Sequence, residues 1–446
     1  MTGMILALAL LLRLVYINQS LWLDEAIEGL ALMGKMGPIL TYALKDFQPP
    51  LYHFLGIAWT QLAGYSEIAL RTPSLLAGLG TVYFLLKFGQ LLQGKKLGIV
   101  AGILAATNPL LIYYSQEGRT YALTAFLVTA SMYYFFQLLN HKSKSNLIPL
   151  SYFLFTTLYL WTSYLSWFVF IAQFLYLLFR RRYDLLRWQF LAGLTLLPWL
   201  PSLFSSLAIG RSTLTRSPAW GNVVGSFSAK ALALTWVKLI IGRVSFADKF
   251  LYGGIVAGVA AVHLFFLRLS LLRRQPLLWL WLGFPILMGS LLSIFLPVYS
   301  YTRVLFIVPA YLLLLSSGLA SFRRQWGMII VVGLQLTFLT YFWFSPQYHR
   351  EDWRQLVHDL RSDPSAVVAM PSRAQNAPLL YYGWDQPIIE PCCEKIEGNK
   401  IYYLRYAEDL FDVPRVGPAN LRSAGYTISS QVSYPGLQVD IYEHRN

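Results

Sequence analysis

Charged side chains are scarce in this sequence. Asp, Glu, Lys and Arg make up 13% of its 446 residues, against roughly 25% in soluble domains. That deficit excludes an ordinary soluble enzyme and a disordered chain. Cysteine is nearly absent: the only two, Cys392 and Cys393, are neighbours. So few exclude a disulfide-stapled secreted module, and their spacing matches no metal site. Adjacent cysteines do not readily reach the Cα separation of an ordinary disulfide. Two plain thiols are the simpler expectation, and a strained vicinal disulfide is the alternative. Internal repeats, low-complexity tracts and glycine-rich phosphate loops are missing too. Acidic residues are the rarest charges in most of the chain: only eight of 21 Asp and Glu precede Ser345, while 26 of 36 Lys and Arg do. The first 344 residues therefore carry a net +18, and the remainder −3.

What is present is apolar: 56% of residues are hydrophobic and 16% aromatic. A helix needs roughly 20 predominantly apolar residues to cross the hydrocarbon core. Eleven runs are candidates, at 3–17, 68–92, 97–113, 121–139, 147–162, 164–179, 188–205, 250–267, 276–296, 304–319 and 327–344. The first is short and lacks a small-residue cleavage site after it, so it is expected to be an uncleaved anchor. Alternate connections are basic: Lys87, Lys95 and Lys96; Lys142 and Lys144; Arg180, Arg181, Arg182 and Arg187; Arg268, Arg273 and Arg274; Arg323 and Arg324. Lys and Arg accumulate on the cytoplasmic side. All five loops fall on one side only if 50–64 does not cross the membrane. That segment carries a weakly polar stripe, His53, Gly56, Thr60 and Gly64, at helical spacing. It is expected to be a helix lying in the interface. The amino terminus is then cytoplasmic. Residues 1–344 form the membrane domain, and 345–446 form a small extracytoplasmic α/β domain with helices at 350–360 and 377–382 and strands at 366–370, 400–404 and 439–442.

On this orientation only Asp184 among the eight acids is cytoplasmic. Carboxylates near a bilayer are costly and are functional candidates by default, so seven on the outer face suggest a reaction site. The long first loop contains Asp24, Glu25 and Glu28, then Asp46-Phe47-Gln48-Pro49-Pro50-Leu51-Tyr52-His53. Ser20 or Asp24 suits a helix cap, and headgroup contact is the plain alternative for Glu28. Glu67 and Arg71 have the favourable acid-first i,i+4 order. The turn Tyr113-Tyr114-Ser115-Gln116-Glu117-Gly118-Arg119-Thr120-Tyr121 offers Glu117 and Arg119 as a structural clamp or a polar-ligand site. Residues 206–249 carry Arg211, Arg216, Lys230, Lys238, Arg243 and Lys249 against Asp248 alone. Such a basic cluster suits lipid phosphate or plain solvation. Arg303, beside Tyr301, ends another span, and guanidinium forks suit phosphate oxygens. Asp352 and Arg354 open an amphipathic segment next to the membrane boundary. Carboxylates able to take a proton from an acceptor hydroxyl, beside cations able to steady a phosphate leaving group, fit group transfer from a lipid-linked phosphate donor.

The stretches Leu21-Trp22-Leu23-Asp24-Glu25-Ala26, Gln48-Pro49-Pro50-Leu51-Tyr52, Ser66-Glu67-Ile68-Ala69-Leu70-Arg71-Thr72-Pro73-Ser74 and 114–123 together resemble the bacterial branch of the protein O-mannosyltransferase and aminoarabinose-transferase superfamily. These are GT-C-type membrane glycosyltransferases. Residues 301–309 and Glu351-Asp352-Trp353-Arg354 resemble later landmarks of the branch. The resemblance implies a polytopic α-helical GT-C fold with about eleven transmembrane helices and interfacial helices in the first outer loop. It also implies a polyprenyl-phosphate sugar donor, and a lipid, glycan or protein acceptor outside the cytoplasm. It places the catalytic aspartate at Asp24, with Glu25 and Glu117 as further catalytic candidates. His53, Arg71, Tyr114, Gln116, Arg119, Tyr301 and Arg303 are substrate-binding candidates. Where aminoarabinose transferases have Lys before the proline pair, this chain has Gln48, and the large luminal insertion of yeast-type mannosyltransferases is missing. No cofactor is called for; Asp24, Glu25 and Glu117 are oxygen donors of the kind a divalent metal takes. Membrane lipid is an expected partner and nucleic acid is not. The expected location is the plasma (inner) membrane. A lipid-linked sugar transporter or flippase is the alternative, although transporters tend to show internal repeats; a mere anchor for the outer domain would not need eleven spans.

Overall fold

The computed structural model describes residues 1–140, 146–216, 225, 228–322, 326–412 and 414–444. Lys142, Lys144, Arg323 and Arg324 lie outside the described residues, as does the side chain of Arg216. Five helices are long and apolar enough to cross a membrane: Glu67–Gln93, Thr120–Asn140, Tyr183–Ser212, Lys249–Leu271 and Trp326–Phe344. A sixth is a pair, Lys95–Thr107 and Pro109–Ser115, bent by 58°. Shorter apolar helices occupy Thr2–Leu14, Leu147–Leu160, Tyr164–Phe179, Pro276–Leu292 and Leu305–Ser321. Each of the eleven expected runs thus holds one apolar helical segment. Large apolar side chains stand outward on them; Phe250 is 95% exposed and Phe179 84%. A surface of that kind is meant for hydrocarbon rather than water.

The chain divides into two compact units. One contains Met1–Ile17, Ile39–Gly64 and Ile68–Phe344; the other contains Asn18–Pro38, Tyr65–Glu67 and Ser345–Asn446. Two pieces of the first long loop therefore group with the carboxyl-terminal residues.

In the first unit, helix α1 (Thr2–Leu14) packs on α6 (Lys95–Thr107). Its Arg13 is fully buried. The guanidinium donates to the carbonyls of Ala9 (3.1 Å), Ala106 (3.1 Å) and Ala105 (3.2 Å) and to Ser115 Oγ (3.1 Å). The carbonyls of Ala105 and Ala106 matter because α6 stops at Thr107. The next residue, Asn108, caps α7 (Pro109–Ser115) by accepting from Leu111 N at 3.0 Å. Pro109 has no N–H to continue α6 and is preorganised to start the next helix. A break in an apolar environment must re-satisfy the freed backbone groups, and Arg13 does so while gripping α7 through Ser115. Elsewhere two backbones touch: a Cβ on Gly318 would meet the Phe266 carbonyl oxygen at 1.9 Å, so only glycine allows that approach.

Helix α4 (Leu51–Ala63) buries Tyr52, His53, Gly56 and Thr60 and exposes Phe54, Leu55 and Leu62. The weakly polar stripe thus faces protein and the apolar face is outward. Three of its four expected members are buried, and the fourth, Gly64, ends the helix at φ +78°.

The second unit has a five-stranded sheet of order β2-β1-β3-β5-β4. β1 (Ala366–Ala369) pairs in parallel with β2 (Ile388–Ile389) and β3 (Lys400–Leu404), and β5 (Leu437–His444) is antiparallel to β3 and to β4 (Tyr426–Tyr434). The helix Trp353–Ser362 lays Trp353, Leu356, Val357 and Leu360 on it. Asp352 caps that helix, accepting from Gln355 N at 3.2 Å. Cys392 and Cys393 form the vicinal disulfide rather than two plain thiols. A turn closed by Cys393 N and Glu394 N on the Glu390 carbonyl, at 3.0 and 3.1 Å, brings the sulfurs together.

Replacing Arg13 by Leu should leave the carbonyls of α6 without donors and destabilise the membrane unit by roughly 3 kcal/mol. Thermal unfolding of the purified protein in detergent checks this; an unchanged midpoint would show that the break does not depend on Arg13.

Candidate active site

Three motifs of the sequence are physically joined in the first unit. Tyr52 of α4 hydrogen-bonds Ser74 of α5 (Glu67–Gln93) at 3.1 Å, and Ser74 Oγ donates to the Arg119 carbonyl at 3.2 Å. The proline-pair segment, the Arg-Thr-Pro-Ser segment and the turn before α8 (Thr120–Asn140) therefore hold one another. Gln116 spends its amide N–H groups on the carbonyls of Arg13 (2.8 Å) and Val15. Its observed role is to tie the turn to the end of α1. Arg71 is fully buried and donates to the Ile17 carbonyl at 2.7 Å.

The turn places Tyr114 and Glu117, both 2% exposed, next to a residue that the sequence reading left among six basic loop positions. Arg243 lies with its guanidinium 4.2 Å from the centroid of the Tyr113 ring. Burial opposes its charge. The phenols of Tyr113, Tyr114 and Tyr301 and the Glu117 carboxylate outweigh burial, and its pKa is raised overall. A half-buried cation thus sits against phenol rings and one carboxylate. Helix Ala229–Ile241 ends at Gly242, where φ is +73° and a Cβ would lie 2.7 Å from Pro109 Cβ. Glycine is required there twice, for conformation and for space. Lys238 Nζ then donates to the carbonyls of Arg243 and Val244, both at 3.1 Å. The signal that singles out Arg243 in sequence is this preceding glycine.

A second charged group lies in the same unit. His53 Nε2 and Asp46 Oδ2 are 3.0 Å apart, with Tyr42 edge-on to the imidazole. Burial works to raise the Asp46 pKa, but the His53 hydrogen bond and the charges of Arg119 and His53 lower it overall. Ser206 Oγ holds the Asp46 carbonyl at 3.0 Å. Arg303 lines a cavity of about 10 Å³ with Gln48, Thr120, Tyr121 and Thr302, room for about one water. Gln48 Oε1 is buried there without a partner among the described residues.

The second unit holds the other carboxylates. Asp24 and Glu25 lie in the first turn of α2 (Leu23–Leu32), whose amino cap is Trp22 with no side-chain cap bond. Neither Ser20 nor Asp24 caps the helix; Ser20 Oγ instead accepts from Arg354 N at 3.2 Å. The helix dipole still favours negative charge in that turn. Glu25 is buried and pairs with Arg350 at 3.2 Å. Asp24 is half-buried. It contributes, after burial and Glu351, to raising the pKa of the Tyr406 phenol. Glu67 does not take the expected partner Arg71. It accepts from Arg354 at 2.6 Å and from Tyr382 at 3.0 Å, and the same Tyr382 oxygen accepts from Leu21 N at 2.8 Å. Burial pushes the Tyr382 phenol up to about 12. Among the described residues, Glu390, Cys392 and Cys393 have ligand atoms within 4.8 Å of one another, but the disulfide occupies both sulfurs.

Residues 47–204 match the family model described as dolichyl-phosphate-mannose-protein mannosyltransferase. No curated protein sequence matches the chain. Among solved structures, it is similar to ArnT from Cupriavidus metallidurans in the apo state, with a TM-score of 0.63 at 11% identity over 98% of this chain and 97% of that one. The same protein bound to undecaprenyl phosphate gives 0.59, again at 11% identity and with the same coverage. The arabinofuranosyltransferase AftD from Mycobacteria gives 0.52 at 13% identity, over 100% of this chain and 40% of that one. With its apolar spans and its small sheet unit, the chain is therefore a multi-pass membrane protein of GT-C fold, and its joined motifs fall within the segment matched by the mannosyltransferase family model.

Proposed function

We propose that the chain is an inverting glycosyltransferase that moves a sugar from a polyprenyl-phosphate donor to an acceptor on the extracytoplasmic face. The observation that carries the proposal is Arg243, a half-buried guanidinium 4.2 Å from the centroid of the Tyr113 ring and beside Tyr114, Tyr301 and Glu117. A cation so placed suits the phosphate of a membrane-borne lipid, and the ArnT structure bound to undecaprenyl phosphate supports that choice of ligand. Glu117 offsets the Arg243 charge while the site is empty. Arg303 is the second cation for the donor head, and Arg71 and Gln116 brace the surrounding backbone.

On this proposal Asp24 takes the proton from an acceptor hydroxyl. The acceptor oxygen bonds the anomeric carbon as the carbon–oxygen bond to phosphate breaks, and the electron pair leaves on the lipid phosphate. One displacement inverts the configuration. Glu25 neutralises Arg350 and thereby fixes the first turn of α2, where Asp24 stands. The amino terminus is cytoplasmic, the carboxyl-terminal residues are extracytoplasmic, and the protein resides in the plasma (inner) membrane.

Asp24→Asn should lower sugar transfer by about 100-fold or more in membranes supplied with a polyprenyl-phosphate donor, while retention of undecaprenyl phosphate is unchanged. Undiminished turnover removes Asp24 as the base. Arg243→Gln should weaken undecaprenyl-phosphate binding by about 10- to 100-fold, the worth of one charged hydrogen bond; equal binding by variant and wild type would remove Arg243 from the donor site.

A pH effect accompanies Arg243. Burial lowers the Lys238 pKa to about 8, with the charge of Arg243 as a second cause. Below pH 8 Lys238 adds a positive charge beside the phosphate site, and above it that charge is lost. Undecaprenyl-phosphate affinity should therefore fall as pH rises through 8, and Lys238→Met should flatten that part of the profile. An identical pH profile in the variant would refute the coupling.

A further inference from the structure

A groove of about 710 Å³ lies wholly within the second unit, between α2 and residues 373–385. That volume is in the range of small-molecule sites. One wall is apolar: Ile27 and Leu30 from α2, Leu380 and Trp384 opposite. The rim is polar, with Lys35, Asn376 and Asp385. Trp384 is 4% exposed, and its indole N–H has no acceptor among the described residues.

We infer that this groove binds the carbohydrate part of the acceptor, an inference that rests on the glycosyltransferase proposal. Three features favour a saccharide. The rim offers a cation, an amide and a carboxylate, which together both donate and accept, as hydroxyl groups do. The aliphatic side chains of Ile27 and Leu380 beside them present an apolar surface for the C–H faces of sugar rings. The walls come from α2 with residues 35–36 and from the short helix Ala377–Tyr381 with its flanking residues, and among the described residues no strand lines the groove. An extended peptide gains its affinity by adding to a strand edge, and here it would find none; a lipid tail would leave the rim unpaired. The placement also suits the chemistry. Asp24 stands three residues before Ile27 on α2, so the two are neighbours on the helix surface, about 4.5 Å apart along its axis. A saccharide seated on Ile27 would bring a hydroxyl towards the proposed base.

The test is a glycan array of defined oligosaccharides two to six sugars long, probed with the full-length protein in detergent beside an array of peptides of similar mass. Wild type should be retained on a subset of glycans and not on peptides. Lys35→Glu, Leu380→Arg and Trp384→Phe should each reduce glycan retention by at least about 10-fold, with undecaprenyl-phosphate binding intact. Lys35 is exposed and Leu380 partly so, so those variants keep the test valid if Trp384→Phe does not fold. Glycan retention unaffected by Lys35→Glu and Leu380→Arg, retention on peptides instead, or no retention at all would each overturn the groove assignment. Loss of undecaprenyl-phosphate binding in Arg243→Gln is measured separately, so a failed donor site and a failed groove give different results.

Discussion

The membrane unit depends on a helix that breaks where water is scarce. Between Thr107 and Pro109 the α6 ladder stops, and its last carbonyls need donors. In hydrocarbon such groups cannot be left to solvent. Arg13 answers this with one planar guanidinium that reaches Ala9, Ala105, Ala106 and Ser115. The break then becomes useful. It turns α7 by 58° and delivers Tyr114 and Glu117 into a buried turn. Pro109, which begins α7, also sets the packing limit that makes residue 242 a glycine, and the next residue is Arg243. One conformational demand thus runs from α1 through the break to the cation of the proposed donor site.

Buried charge follows the same economy throughout. Desolvated ions persist only where partners offset the loss of water. Arg243 has Glu117 and phenols, Asp46 has His53, and Glu25 has Arg350. Lys238 is the instructive exception. Its ammonium faces carbonyl oxygens rather than a carboxylate. Carbonyl dipoles offset desolvation less completely than a full negative charge, and its pKa is accordingly depressed. A local stability cost is accepted there in exchange for a fixed Arg243 turn.

The spans were legible because a bilayer imposes a continuous, lengthy apolar run, a demand written in composition alone. Helices and strands of the second unit were legible where one face is buried: residues 366–370 and 400–404 locate β1 and β3. β4 was not, because Thr427–Val432 is an edge segment of largely exposed Thr, Ser and Gln, with cross-strand hydrogen bonds in place of an apolar face. Partner choice was least legible. Glu67 and Arg71 have the spacing of a helical ion pair, yet Glu67 sits at the first residue of α5, free to turn to Arg354 and Tyr382. The disulfide likewise follows from a local turn at Glu390 and not from the spacing of the cysteines. Arg243 was one basic residue among six until Gly242 fixed its direction.

The division of the chain into units also sorts the proposed chemistry. The segment matched by the mannosyltransferase family model, 47–204, contains the three motifs joined through Tyr52, Ser74 and Arg119. Asp24 and the saccharide groove lie outside that segment, in the second unit. Donors built on a polyprenyl phosphate share a phosphate and a tail, so a common scaffold suffices to hold them. Acceptors differ in size, polarity and hydrogen-bonding pattern. A groove walled partly by α2 joins the variable task to the helix that carries the proposed base. On the proposed reading, changes at Lys35, Asn376 or Asp385 alter which hydroxyl is presented without touching Arg243 or Arg303. α2, although in the first loop by sequence, packs with the short helix Ala377–Tyr381 of the carboxyl-terminal region, so the proposed groove takes its two walls from segments that chain order keeps apart.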